Sequence, residues 1–218
     1  MKTLFFQNKL FFICCSVFWI VAGIYLLTHG KGDFSLYLNK HHSATADLFF
    51  RYATWMGDGI TITIICLLLL FVKFRYVIIT SIISILSSFL VNIVKNIAHQ
   101  PRPVEYFKTE HLNFVQGVEL FHWHSFPSGH TAAAFALFCV FGFLVQNKLW
   151  SLLFFLLAFS VAISRVYIFQ HFLVDVYFGS MFGVVNAVWI YLVLGNMGFL
   201  KKVWVERSVI HLKGNSEY

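Results

Sequence analysis

Charge is scarce in this sequence: Asp, Glu, Lys and Arg make up 11% of its 218 residues, while 59% are hydrophobic. A soluble globular domain carries about twice that charge, so this class is excluded. Cysteine is also sparse. Cys14, Cys15, Cys66 and Cys139 sit inside apolar runs rather than in loops, and read as small buried hydrophobes that form no disulfide framework. Acidic residues number 9 and do not cluster, which leaves no basis for a two-metal centre. A basic stripe, zinc-finger spacing and internal repeats are all missing. The excess of 16 Lys+Arg therefore points away from nucleic acid and towards anionic headgroups and positive-inside topology.

What the chain does have is long apolar runs. Residues 10–27 form the first, longer than a signal-peptide core and followed by Thr-His-Gly-Lys instead of a small-x-small site, so an uncleaved membrane helix is expected. Further runs at 59–72, 76–98, 128–145, 149–168 and 172–194 complete an all-α integral-membrane fold, a six-transmembrane-helix bundle. Between the first two spans, Leu48, Phe49, Tyr52, Trp55 and Met56 recur at helical spacing opposite Asp47 and Arg51; this predicts a short interfacial helix, and an ordinary helix packed on the bundle fits the same pattern. Residues 99–126, punctuated by Pro101 and Pro103, form the longest irregular stretch. A basic tail occupies 195–218 and is expected to be interfacial or partly disordered.

Six spans place both termini on one side with nine Lys and Arg; the other side has four once Lys95, Arg102 and Arg165 are set aside. That excess favours cytoplasmic termini. The three cations set aside then share the opposite face with two further motifs.

Ionisable groups inside membrane-grade sequence are costly and usually functional. Residues 164–175 hold Arg165, His171 and Asp175. If the chain is helical from Gln170 onward, His171 and Asp175 lie one turn apart, and the carboxylate can fix the imidazole tautomer. Taken alone, the pair serves equally well as polar glue between helices. Lys95, Arg102 and Arg165 together supply the charge that a dianionic phosphate requires, although an isolated interfacial Lys or Arg ordinarily snorkels to headgroups. Pro127-Ser128-Gly129-His130 opens the fourth helix, with Ser128 as its N-cap and Gly129 allowing a phosphate close to the backbone amides.

Lys-x6-Arg-Pro, Pro-Ser-Gly-His and Ser-Arg-x5-His-x3-Asp, in this order and spacing, resemble the type 2 phosphatidic acid phosphatase (PAP2) superfamily, which includes the vanadium haloperoxidases. The resemblance covers about residues 57–194, within one membrane domain spanning 1–218. It implies a metal-independent, cofactor-free membrane lipid phosphatase with an extracytoplasmic site in the inner or plasma membrane. Lys95, Arg102, Ser128, Gly129 and Arg165 would bind the phosphate, His171 would attack phosphorus, Asp175 would orient His171, and His130 would serve as acid and then base. Both histidines are expected to titrate near neutrality and give a bell-shaped pH profile.

The motifs read only the phosphate. Undecaprenyl diphosphate, phosphatidylglycerol phosphate, phosphatidic acid and lipid A phosphates all fit, and the extracytoplasmic leaflet ranks undecaprenyl diphosphate and lipid A phosphates first. A lipid phosphotransferase on the same scaffold and a non-catalytic anion-binding protein are the alternatives. The sequence does not specify an oligomeric state. His122 and His124 would share a face if extended, but no Cys or carboxylate spacing accompanies them, so shaping the substrate entrance or packing against the headgroup region is preferred to zinc binding. A turn accounts for Gly57-Asp58-Gly59, and loop positions account for His99, Glu105 and Glu119.

Overall fold

The computed structural model describes residues 2–108, 111–197, 200 and 202–209. Every regular element among the described residues is helical. In chain order these are α1 (Lys2–Gln7), α2 (Lys9–Thr28), α3 (Asp33–Lys40), α4 (Ala44–Ala53), α5 (Gly59–Leu69), α6 (Phe74–Ala98), α7 (Pro103–Tyr106), α8 (Gly129–Val145), α9 (Lys148–Tyr167) and α10 (Leu173–Gly195), with 3-10 turns at Thr54–Gly57 and Val203–Glu206. Residues 198, 199, 201 and 210–218 of the expected basic tail lie outside the described residues.

Four described stretches are long and apolar enough to cross a membrane: α2, α6 with its continuation to Tyr106, α9 and α10. The pair Ala44–Gly57 and Gly59–Leu69, bent by 58°, makes a fifth if it counts as one span, and α8 is a shorter apolar helix of 17 residues. The interfacial segment expected around 47–56 is α4 running into its 3-10 turn, joined at that bend to α5. α3 lies in the mixed polar stretch after the first span, where the sequence pattern predicts no helix.

α8 is the axis of the molecule. Ala132, Ala134, Phe135, Leu137, Val140 and Phe143 are all buried, so the helix is covered on every side, as an all-round apolar sequence requires. α10 meets it through Gly179 and Gly183, one turn apart, where a side-chain carbon would strike the carbonyls of Ser128 and Ala132. Small residues at this four-residue spacing let two membrane helices approach at backbone distance. α2 is peripheral by contrast: Phe11, Cys15 and Ala22 face the core, while Val17, Ile20, Val21 and Ile24 are exposed. Two polar bonds hold it in place. Trp19 Nε1 donates to Ser180 Oγ (2.9 Å) on α10, and Ser151 Oγ on α9 accepts from the Phe11 amide (3.0 Å).

Candidate active site

Three chain segments converge at the end of the bundle where α6 finishes and α8 begins. α6 stops after Ala98, with His99 in the left-handed region (φ 39°), and sends the chain into the 99–126 excursion. The ends of that loop are tied together: the Arg102 amide donates to the His122 carbonyl (2.8 Å) and the Ser125 amide to the Gln100 carbonyl (3.0 Å). Ser128 then caps α8, its Oγ accepting from the Thr131 amide at 3.4 Å and from Thr131 Oγ1 at 2.9 Å. The Ser128 amide donates to the Asp175 carbonyl (3.0 Å), so the start of α8 is fastened to the start of α10.

At the α9–α10 junction the chain is not helical from Gln170 onward, the condition for placing His171 and Asp175 one turn apart on one helix. α9 ends at Tyr167, Phe169 takes the left-handed conformation (φ 62°), and the amides of Gln170 and His171 both close on the Arg165 carbonyl at 3.0 Å. This left-handed termination satisfies a carbonyl that the helix end would otherwise orphan, and it sets His171 beside Arg165. His171 therefore precedes α10 instead of riding on it. Asp175 sits in the first turn of α10 and reaches back to accept the Phe172 amide (2.9 Å) and the Ser125 hydroxyl (2.5 Å) through Oδ2. That same oxygen lies 3.4 Å from His171 Nδ1. The separation is within ion-pair range, but the alignment falls short of a hydrogen bond and Nδ1 has no partner. The contact is electrostatic proximity in this state.

The cations are held by neutral acceptors. Arg102, 7% exposed, donates from Nε to the Trp123 carbonyl (2.9 Å) and from Nη1 to Gln170 Oε1 (2.7 Å), with its guanidinium 5.3 Å from the Phe121 ring centroid. Arg165, 6% exposed, donates from Nη1 to Thr54 Oγ1 (2.9 Å), and its Nε is buried without a partner. Lys95 points into a cavity of about 440 Å³ shared with Gly57, Gly129 and His130. Among the described residues, none of Lys95, Arg102 and Arg165 forms an ion pair.

His171 is 1% exposed and feels all of them. Burial first, then Arg102, Arg165, Lys95 and His130, lower its pKa well below 6.5. The expectation that both histidines titrate near neutrality is therefore revised for His171, which is a neutral imidazole at pH 7. The reason is desolvation together with like charge.

Several neighbours of these groups carry no signal of their own in the sequence. Gln170 and Thr54 hold the two guanidiniums, Ser125 holds Asp175, and Gln170 Nε2 also anchors the Glu119 carbonyl (2.9 Å). Asp58 caps α5 by accepting from the Ile60 amide (2.8 Å), and its other oxygen lies 3.7 Å from His130 Nε2, so the turn residue also faces the second histidine. His122 pairs with Glu105 (3.1 Å), and His124 Nδ1 lies 3.3 Å from the Lys95 carbonyl, so the two histidines have separate partners. No group of three or more His, Cys, Asp or Glu placed to hold a metal occurs among the described residues.

Comparison with known proteins fits this geometry. The family model described as the PAP2 superfamily matches residues 75–198. The solved structure of LpxE from Aquifex aeolicus superposes with a TM-score of 0.65 at 26% identity, covering 74% of this chain and 94% of that one. The PAP2-type phosphatidylglycerolphosphate phosphatase of Bacillus subtilis gives a TM-score of 0.66 over 89% of this chain and 99% of that one; at 18% identity it speaks for the fold alone. A curated relative, the bacitracin transport permease protein BcrC of Bacillus licheniformis, is 31% identical over 99 residues. That match is 43% of this chain and spans about half of the relative's length, 47%. The chain belongs to the PAP2 superfamily, a family of membrane lipid phosphatases, and it is an integral membrane protein.

Proposed function

We propose that this member of the superfamily is a lipid phosphatase that removes a terminal phosphate from a lipid phosphate or diphosphate through a phosphohistidine intermediate, without a metal. One observation carries the reading: a buried, neutral His171 faces Asp175 and is surrounded by three cations that no carboxylate among the described residues pairs with. Converging unpaired cations are unfavourable unless an anion joins them, and a phosphoryl group has the charge and the oxygens to do so.

In this reading Lys95, Arg102 and Arg165 bind the phosphoryl oxygens, with the Ser128 hydroxyl and the Gly129 amide at the start of α8. His171 Nε2 attacks phosphorus as the bond to the lipid oxygen breaks, and His130 gives that oxygen its proton. His130 then takes a proton from water, whose oxygen displaces His171 and releases inorganic phosphate. Asp175 orients His171 as the site closes on substrate, where contacts that are long in the empty site tighten.

The same reading treats the chain as one membrane domain of six spans, with the bent α4–α5 segment as the second and α8 as the fourth, since 17 residues is the lower limit for crossing. It places the site on the extracytoplasmic face of the inner or plasma membrane and both termini in the cytoplasm. The candidate substrates are undecaprenyl diphosphate, lipid A phosphates, phosphatidic acid and phosphatidylglycerol phosphate. The test is phosphate release from such a lipid panel by purified protein in excess chelator. Release by wild type that is abolished in His171→Ala supports the reading, and undiminished release by His171→Ala sinks it.

A further inference from the structure

The cavity that begins at Lys95, Gly129 and His130 continues beyond the phosphate site. It runs between α5 and α6 past Val91 and Asn92 to Ser88, Ser84 and Ser81, with Ile62, Thr63 and Cys66 on the facing wall. Positions 81, 84, 88, 92 and 95 are three or four residues apart, which places them on one face of α6. The face turned to the core carries Ile79, Ile83, Ser87 and Val91. At the helical rise, Asn92 lies about 4–5 Å and Ser88 about 10 Å along the axis from Lys95.

Serine in an apolar helix ordinarily closes on a carbonyl of the preceding turn. Ser16, Ser160, Ser164 and Ser180 all do so, at 2.6 to 2.9 Å, and Thr63 across the cavity does the same at 2.8 Å. Ser84 does not: its Oγ is buried without a partner, as are the hydroxyls of Thr80 and Ser87 on the core-facing side of the same helix. Ser81, Ser88 and Asn92 likewise make no hydrogen bond among the described residues. A row of unpaired donors in a membrane cavity is costly unless something brings acceptors to it.

We propose that Asn92 and Ser88 determine specificity by donating hydrogen bonds to the carbonyl groups of an acylated lipid phosphate, so that ester- or amide-linked lipids are selected over polyprenyl phosphates. This rests on the phosphatase reading above. With the phosphate at Lys95 and Gly129, the first carbonyls of an acylated lipid lie a few bonds away, level with Asn92 and Ser88. A polyprenyl monophosphate has only hydrocarbon at that depth and leaves the donors unpaired. Ser84 and Ser81 extend the same polar wall further from the phosphate.

The test compares kcat/KM for three probes in mixed micelles: dioleoyl phosphatidic acid, its ether-linked analogue lacking both carbonyls, and undecaprenyl phosphate. The wild type is expected to favour the ester by about tenfold over each of the others, and Asn92→Leu with Ser88→Ala to remove that preference through a higher KM for the ester. If Asn92→Leu does not fold, Ser88→Ala alone should lower the preference by about threefold. Equal turnover of ester and ether, a polyprenyl preference, or a ratio that the variants leave unmoved overturns the proposal while leaving the phosphatase reading intact. Turnover of none of the three overturns the proposal, and the phosphatase reading then stands or falls on its own lipid panel.

Discussion

The two ends of the bundle use the same charged groups in opposite ways. At the end away from the site, Lys73 and Arg75 at the start of α6 converge on Glu206, at 2.8 and 2.9 Å, and all three side chains are 37% exposed or more. The backbone joins in: the Phe74 amide donates to the Arg207 carbonyl (2.9 Å) and the Val209 amide to the Leu70 carbonyl (3.1 Å). Those charges are compensated and wet. At the site end Arg102 and Arg165 are buried, and a glutamine, a threonine and a backbone carbonyl hold them in place of acids. A neutral acceptor fixes the direction of a guanidinium without cancelling its charge, so the charge remains for a ligand. The lesson is that a cation's holder, more than its presence, separates a structural cluster from a binding one.

The comparison can be broken in stages. The largest effect is expected at the nucleophile itself, where His171→Ala should lower kcat/KM for lipid phosphate hydrolysis by about a thousandfold or more. Next come the holders: Gln170→Leu removes the Oε1 acceptor of Arg102 and Thr54→Val that of Arg165, and each should lower kcat/KM by about 10- to 100-fold, mainly through weaker capture of the phosphate. Asp58→Asn retains the α5 cap and removes the charge facing His130, so about a tenfold loss in kcat is expected. The smallest effect belongs to the far end. Glu206→Gln should cost no more than about 1 kcal/mol in thermal or denaturant unfolding and change activity less than twofold, because exposed pairs contribute little. A site loss from Glu206→Gln as large as that from Gln170→Leu would erase the distinction.

The pH profile sharpens the same contrast. A base whose pKa is lowered stays neutral to more acidic pH, so free-enzyme kcat/KM should remain level as pH falls through 6.5, with its acid limb below that value. An acid limb centred at or above 6.5 would mean that the cations do not bear on His171 as the geometry has them.

Much of this was legible in the sequence, for identifiable reasons. Long apolar runs located α2, α6, α9 and α10, because hydrophobicity over twenty residues outweighs local detail. Lys95, Arg165, His171 and Asp175 stand out because charge in or beside such runs is expensive, and Arg102 through its Lys-x6-Arg-Pro spacing to Lys95. The holders did not stand out. Thr54 and Gln170 are ordinary residues whose importance comes from partners 111 and 68 positions away, a pairing that local spacing cannot show. The i,i+4 spacing of His171 and Asp175 fits a shared helix only if the chain is helical from Gln170; the left-handed Phe169 breaks it there, at a residue with none of the glycine signature that usually marks such a stop. Asp58 looked like a plain turn residue because its capping bond is local, while its second oxygen answers to His130 on another helix.

The central claim is that the uncompensated cations present a phosphoryl group to a neutral His171. Quenching the purified enzyme in alkaline detergent during turnover of a lipid labelled in its terminal phosphate, then mapping the labelled peptide at high pH, tests it most directly. The account predicts an acid-labile, base-stable phosphoryl label on His171 that is lost in His171→Ala. Label on another residue, or steady turnover with no labelled protein at any quench time, would contradict it.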